Sequence, residues 1–329
     1  MPDRDPERIR LNPLHRFLVL NDTSFYVARW NGRMDGLETI GRNDHLFVFF
    51  RWLCTREVCA GIDSLLSAHR NVVREQVTFL ANSGEEKRVI DEHLEGCSCC
   101  HVNVNCFVDQ ELFTILDESK RYEAVMNAGP WRYKRHGLSS GISDIARIFG
   151  HWDYRSESRT SAIEKCIADN GLRYRYANLD HTLWDKDELV RILNRSRVGL
   201  ILSDVEGACA ASSEYLLCGL PVVSTTSRGG RDDWYTTNNS IICHASVDGV
   251  DAAVRQALRR LETGAFRPSA IRRSHVVRAE AFRERFTNCV QERIDRLRIS
   301  FDAGSHLRRV RFDPRRADGL SRFDVEYFV

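Results

Sequence analysis

Short apolar runs alternate with stretches of helical spacing along most of the chain, and that alternation predicts an α/β architecture. Between residues 111 and 299, runs predict strands at Glu123–Asn127, Arg173–Ala177, Val198–Leu202, Pro221–Ser224 and Ser240–Cys243. Helices are expected at His136–Gly150, Ser161–Asp169, Lys186–Arg195, Ala208–Cys218 and Val250–Thr263. This order suits a parallel sheet with helices on both faces. Right-handed crossovers then bring three post-strand loops to one edge: Asn127 to Lys134, Ser203 to Ala208, and Thr225 to Trp234. Residues 1–110 carry runs at Phe17–Leu20, Leu46–Phe50 and Val77–Leu80, with helical spacing from Arg56 to Val73, so a second, shorter α/β domain is expected there. Helical spacing resumes from Ser269 through Arg298, and residues 300–329 form an arginine-rich tail.

The richest stretch is Val198 to Trp234, VGLILSDVEGACAASSEYLLCGLPVVSTTSRGGRDDW. Two short strands there flank a helix. In such a unit, ligands collect beyond the carboxyl end of the strand, and the amides at the helix start favour an anion such as a pyrophosphate. Gly207 and Ala208 fall at that start and are small enough for a ligand to touch the backbone. Glu206 lies just before the helix and Glu214 about two turns inside it, so two acceptor-only carboxylates can hold different parts of one extended ligand. Taken singly, Glu206 also reads as an ordinary helix-start acid and Glu214 as an exposed helix residue.

As a whole, the segment E-GACAASS-E-YLLCGLPVVST resembles the E-x7-E signature of retaining GT-B fold glycosyltransferases of the family 4 type, glycosyl transferases group 1. The Cys218-Gly219-Leu220-Pro221 turn and the Gly229-Gly230 pair extend the likeness. So does HVNVNCFVDQELF, residues 101–113, which is similar to the family's N-G-V-D-x-x-x-F passage between domains. Asn105, Val108, Asp109 and Phe113 match it, and Cys106 replaces the usual glycine. GPWRYKRH resembles the phosphate-binding G-R-L-x-x-x-K loop.

The resemblance implies two Rossmann-like domains with a cleft between them, the first shortened, and a last helix that crosses back to the first domain. It implies that Glu206 contacts the donor sugar, that Glu214 binds the ribose, that Gly207 and Ala208 offer amides nearby, and that Lys134 meets the pyrophosphate. The family arginine falls on Gly129, a departure that leaves Arg132 or Arg135 to supply the second cation. Catalytic roles are expected for Glu206 and Lys134, and donor binding for Arg132, Arg135, Gly207, Ala208, Glu214, Gly229 and Gly230. The family's glycine-rich loop after the first strand has no clear match; Asn21 to Ser24 is the nearest positional equivalent, with Gly32 and Gly36 beyond.

Composition narrows the class. With 329 residues and 43% hydrophobic content, two modest cores can be buried. The net charge of +2 carries no nucleic-acid signature. No apolar run reaches spanning length, and the charged start MPDRDPERIR lacks a signal peptide's apolar region, so a cytoplasmic location is expected. Arg308, Arg309, Arg311, Arg315 and Arg316 leave open a contact with an anionic membrane surface or a polyanionic acceptor.

Among eleven cysteines, Cys54, Cys59, Cys166 and Cys218 sit in apolar settings, and reduced thiols are expected. The cluster Cys97, Cys99, Cys100, His101 and Cys106 has the wrong spacing for common zinc frameworks. His45, His69 and His101 are assigned no role.

The expected function is metal-independent transfer of a sugar, with retention, from a nucleoside-diphosphate sugar to a hydroxyl of a glycan or lipid-linked acceptor, as in polysaccharide biosynthesis. No cofactor is expected beyond the donor substrate. The alternatives are a catalytically degenerate module that binds a nucleotide or partner, and a nucleotide-sugar epimerase.

Overall fold

The computed structural model describes residues 14–30, 32–50, 52–149, 159–179, 186–298, 300–307, 312–313 and 322–323. The chain forms two units. The first comprises Met1–Phe107, Ala281–Phe312 and Arg322–Val329, and the second Val108–Glu280 and Asp313–Ser321.

In the first unit, β1 (His15–Leu20), β2 (Thr23–Trp30), β3 (His45–Phe50), β4 (Val77–Ala81) and β5 (Ser98–His101) pair in sequence order. β1 and β2 are antiparallel and the remaining pairs parallel. β3 and β4 are buried at every position, as expected for strands covered on both faces. Helices α1 (Arg56–Ala68) and α2 (Gly84–His93) start on Thr55 and Ser83, whose hydroxyls accept the Val58 and Glu86 amides. Ile62 and Leu66 of α1 and Ile90 of α2 pack with Val48, Phe50 and Phe79 of the sheet.

The apolar runs at Phe17, Leu46 and Val77 therefore mark real strands. β2, β5 and α2 lie outside those runs. Asn21 to Ser24 proves to be the tip of the β1–β2 hairpin, with Asn21 at φ 54°, and not a loop between a strand and a helix. Among the described residues the strands of this sheet follow in sequence order, so the sheet shows no point at which the order reverses. The histidines without assigned roles are buried at the start of β3 (His45), cap α1 (His69) and end β5 (His101).

The second unit holds a parallel six-stranded sheet of β6 (Tyr122–Asn127), β7 (Ile145–Ile148), β8 (Tyr176–Ala177), β9 (Ser196–Ile201), β10 (Val222–Thr225) and β11 (Ser240–Cys243). Their order is β11-β10-β9-β6-β7-β8. From β6 the chain builds outward through β7 and β8, then returns to β6's other side with β9. This is the doubly wound dinucleotide-binding order, and its switch point lies between β6 and β9. The helices are α3 (Arg159–Asp169), α4 (Lys186–Arg195), α5 (Ala210–Leu217), α6 (Val247–Glu262) and α7 (Pro268–Arg296), followed by α8 (Ala303–Leu307) in the first unit; β12 (Phe312–Asp313) pairs with β13 (Arg322–Phe323).

The helix expected at His136–Gly150 is absent. A short 3-10 turn at His136–Ser139 gives way to β7, all four of whose residues are buried. Ile142, Ile145 and Ile148 recur every three residues, as on a helix face, but four residues in the middle of a sheet need no polar alternation. The strand expected at Arg173 shrinks to Tyr176–Ala177.

α7 starts in the second unit, and its residues from Ala281 belong to the first, so the chain returns there earlier than residue 300. Phe286 enters the first unit's core edge-on to Phe47 and Phe107. A disulfide joins Cys289 of α7 to Cys100 of β5 across 189 residues of sequence. The expectation of reduced thiols is corrected at this pair, because a helix returning from the far end of the chain places Cys289 where local spacing gives no hint of it. Cys100 is thereby removed as a thiolate, whereas Cys54, Cys59, Cys166 and Cys218 are free and buried.

Substituting Cys289→Ser is expected to cost about 2–5 kcal/mol. Thermal denaturation should show the loss, and reductant should bring the wild type down to the variant. Peptide mapping that found both thiols free would remove the basis for this.

Arg308, Arg309, Arg311, Arg315 and Arg316 lie outside the described residues. Among the described residues, no helix is long and apolar enough to cross a membrane, and no three His, Cys, Asp or Glu side chains form a metal-binding group.

Candidate functional site

The loops leaving β6 and β9 flank the switch point of the second sheet, and each carries one member of an ion pair. Lys134 Nζ donates to Glu206 Oε1, with side chains 17% and 7% exposed. Burial opposes the Lys134 charge, but attraction to Cys209 and Glu206 outweighs it and holds the pKa above the usual lysine value. The ammonium is therefore fully charged at neutral pH.

Each loop has a backbone reason for its shape. After β6, His136 Nε2 bonds the Gly129 carbonyl at 2.8 Å and closes the turn that carries Lys134. Arg135 takes a left-handed conformation at φ 51°. Its guanidinium bonds the Leu202 carbonyl at 2.6 Å and the Thr225 hydroxyl at 2.5 Å, tying this loop to the ends of β9 and β10.

After β9, the Glu206 amide donates to the Arg228 carbonyl at 3.0 Å, and the Gly230 amide donates to the Gly207 carbonyl at 3.0 Å. The two loops are zipped together. Gly229, at φ 114°, lies at the crossing, and a Cβ there would come within 1.6 Å of the Glu206 carbonyl oxygen. Only glycine fits.

Cys209 then precedes α5 at φ 57°. Of the four described non-glycine residues with positive φ, Arg135 and Cys209 adjoin the Lys134 and Glu206 loops. Such conformations cost about 1–3 kcal/mol each and concentrate at functional sites.

Glu214 lies inside α5 and is buried, not exposed; burial raises its pKa, offset in part by Lys186 and by the Asn127 side chain, which donates to it at 3.0 Å. The neighbouring Tyr215 hydroxyl accepts the Asn127 amide at 2.6 Å, so the end of β6 is fastened to α5 through both residues. Gly199 on β9 makes room for the Tyr215 ring, which a Cβ there would meet at 2.3 Å.

The structure thus brings Lys134, Glu206, Gly207, Ala208, Gly229 and Gly230 to one edge of the second sheet, with Arg135 bound among the same loops. Arg132 is exposed on the turn before Lys134. Asp109 turns the chain at the start of this unit by accepting the Glu111 and Leu112 amides at 2.8 and 3.1 Å.

Four residues had no sequence signal: Asn127, His136, Arg147 and Arg231. Arg147, in β7, is fully buried, bonds the Arg173 carbonyl and Ser139, and has a pKa lowered by burial to about 10. His136 stacks on Phe149 and has a pKa lowered to about 4, first by burial and then by Arg147 and Lys134. A histidine near 6.5 in the unfolded chain takes up a proton that the folded one refuses until about pH 4. Its contribution to stability is complete above pH 6.5 and is lost progressively as the pH falls toward 4. His45, also lowered to about 4 by burial, acts in the same direction. Denaturant titrations between pH 7.5 and 4.5 should show this slope, and His136→Gln should flatten it; an unchanged slope would count against the assignment.

The two α/β units, one of them doubly wound, have the GT-B fold. No family model matches the chain, and no curated protein matches it in sequence. Solved structures do match in fold. HepE of Anabaena, in complex with UDP, aligns with a TM-score of 0.55 at 12% identity, over 76% of this chain and 72% of that one. TarM of S. aureus, with Fondaparinux, alpha-GlcNAc-glycerol and UDP, aligns at 0.55 and 13%, over 75% of this chain and 51% of its own. The pneumococcal O-GlcNAc transferase GtfA, with UDP and GlcNAc, aligns at 0.53 and 14%, over 78% and 53%. The chain spans about half the length of the last two.

Proposed function

We propose that the protein transfers a sugar, with retention and without a metal, from a nucleoside-diphosphate sugar to a hydroxyl of a glycan or lipid-linked acceptor. The observation that carries this reading is the Lys134–Glu206 pair at the switch point between β6 and β9, beside the start of α5. A pyrophosphate placed there meets a lysine held in its charged form, and Arg132 lies two residues away for the second cation. Lys134 then stabilises the charge that grows on the departing diphosphate, electrostatic assistance worth several kcal/mol. Drawn from Glu206 by the phosphate, Lys134 releases that carboxylate to accept hydrogen bonds from sugar hydroxyls. Glu214, aligned by Asn127, takes the ribose. Orienting roles for both glutamates separate this site from the nucleophile and acid pair of a glycosidase.

A second reading, a module that binds a nucleotide without turnover, is favoured by one observation. Gly129 stands where the family arginine is expected, and Arg135 is committed to Leu202 and Thr225.

Thermal stability with UDP, GDP, ADP, CDP and dTDP and their sugars separates the two. UDP comes first because HepE, TarM and GtfA are described with it. A ligand at a hundredfold its Kd stabilises the native state by about 2.7 kcal/mol. Stabilisation accompanied by transfer or slow donor hydrolysis, with the donor anomer preserved in the product, supports the transferase. Stabilisation without either selects the binding module, and conversion of the donor into an epimer with no acceptor present would select an epimerase. No effect from any nucleotide overturns the site.

A further inference from the structure

Arg231 is fully buried and lies directly after the Gly229-Gly230 pair. Its Nη1 donates to the Ser203 carbonyl at 2.9 Å and the Ser203 hydroxyl at 3.2 Å, its Nη2 to the Thr225 carbonyl at 2.5 Å, and its Nε to Asp232 at 2.9 Å. Ser203 opens the loop that leads to Glu206, and Thr225 ends β10. The guanidinium therefore bridges the roots of the two loops that Gly229 and Gly230 zip together at their tips. A planar fork with donors on both edges can hold two carbonyls at fixed spacing, whereas an ammonium acts as a point charge. Burying a guanidinium is costly; Asp232 pairs with its Nε, and its remaining donors meet the Ser203 and Thr225 carbonyls and the Ser203 hydroxyl. Those carbonyls belong to the segments that set the position of Glu206.

We propose that Arg231 is a positioning residue that fixes Glu206 relative to the donor sugar by clamping the β9 and β10 loops at their roots. The proposal rests on the transferase reading for its kinetic consequence only; the clamp itself is a property of the fold. Misplacing a group by about an ångström costs on the order of a hundredfold in rate. UDP alone lacks the sugar that Glu206 addresses, and Lys134 and Glu214, assigned to its pyrophosphate and ribose, lie outside the two clamped loops. Loss of the clamp should therefore lower kcat and spare UDP binding.

The test uses the full chain with Arg231→Met, and Arg231→Lys as the charge-retaining companion. Amide hydrogen exchange by mass spectrometry compares peptides covering residues 203–209 and 226–231 with those of β9 and β10. Expected for Arg231→Met is at least tenfold faster exchange in the two loops with the strands still protected, a kcat at least tenfold lower with the UDP-sugar that the wild type turns over, and a Kd for UDP within threefold of wild type. Arg231→Lys should recover little of either, since charge without the fork cannot hold both carbonyls. Wild-type loop exchange in folded Arg231→Met overturns the proposal. So does a parallel loss of kcat and UDP affinity, or near-complete recovery in Arg231→Lys. If Arg231→Met does not fold, Arg231→Lys is held to the same two readouts, and failure of both variants to fold also overturns the proposal by showing a global role. A wild type that binds none of the five nucleotides and turns over none of their sugars defeats the transferase reading, and loop exchange still decides the clamp.

Discussion

Lys134→Ala is expected to lower turnover at least a hundredfold and to weaken UDP binding at least tenfold. Removing one preorganised donor from a developing anion costs about 2.7–4 kcal/mol in other active sites. In the proposed mechanism the Lys134 charge is of that kind, held in place by its ion pair with Glu206. The same substitution leaves Glu206, 7% exposed, without its cation. Breaking a buried pair by deleting one member costs about 3–5 kcal/mol, so the variant should also unfold at lower denaturant. These two effects can be told apart. The double variant Lys134→Met, Glu206→Gln replaces the ion pair by neutral groups of similar size and should recover much of the stability while recovering none of the turnover. Steady-state kinetics with the active donor, calorimetry with UDP and urea titrations measure the three quantities. Turnover of Lys134→Ala within threefold of wild type would remove Lys134 from the proposed mechanism.

How far the site could be read in the sequence depends on where its information is stored. The parallel strands of the second unit announce themselves as short apolar runs because both of their faces are covered, and β6, β9, β10 and β11 lie within two residues of expectation. Their alternation with helices places the three loops together, so the sequence alone brings Lys134 and Glu206 to one edge. β7 was hidden because its isoleucines imitate a helix face over a span too short for periodicity to decide.

The supporting residues were less visible for a different reason. Arg231 and Arg135 clamp through backbone carbonyls, which every residue has, and through the common hydroxyls of Ser203 and Thr225, so no motif marks them in the sequence. Arg135 could be noticed as a cation near the phosphate loop, yet its guanidinium is occupied in fastening β9 and β10. The pairing of Cys100 with Cys289 is non-local in the same sense, since it depends on the return of α7 and on no motif near either cysteine. Glu214 shows the converse. Its spacing from Glu206 was legible, but its burial and its bond to Asn127 follow from the packing of α5 against β6.

Gly229→Ala is expected to cost about 3 kcal/mol or more of stability and at least a hundredfold in turnover, although it adds a single methyl group. The methyl would sit 1.6 Å from the Glu206 carbonyl oxygen, and the next nearest atoms are also backbone, the Glu206 carbonyl carbon and the Gly207 oxygen. No flexible side chain can swing aside. Either the φ of 114° is abandoned, which breaks the zipper between Glu206 and Arg228, or the Glu206 backbone moves away and carries its carboxylate with it. Both routes displace Glu206, and neither touches Lys134 directly, so UDP binding should fall less than turnover. Gly84→Ala is the control for the chemistry of the change. Gly84 opens α2, has nothing within 4 Å of an added Cβ, and should tolerate alanine with stability unchanged or slightly raised. A folded Gly229→Ala protein with wild-type turnover would show that the contact between the two loops does not set the position of Glu206, and the clamp assigned to Arg231 would lose its route to the sugar.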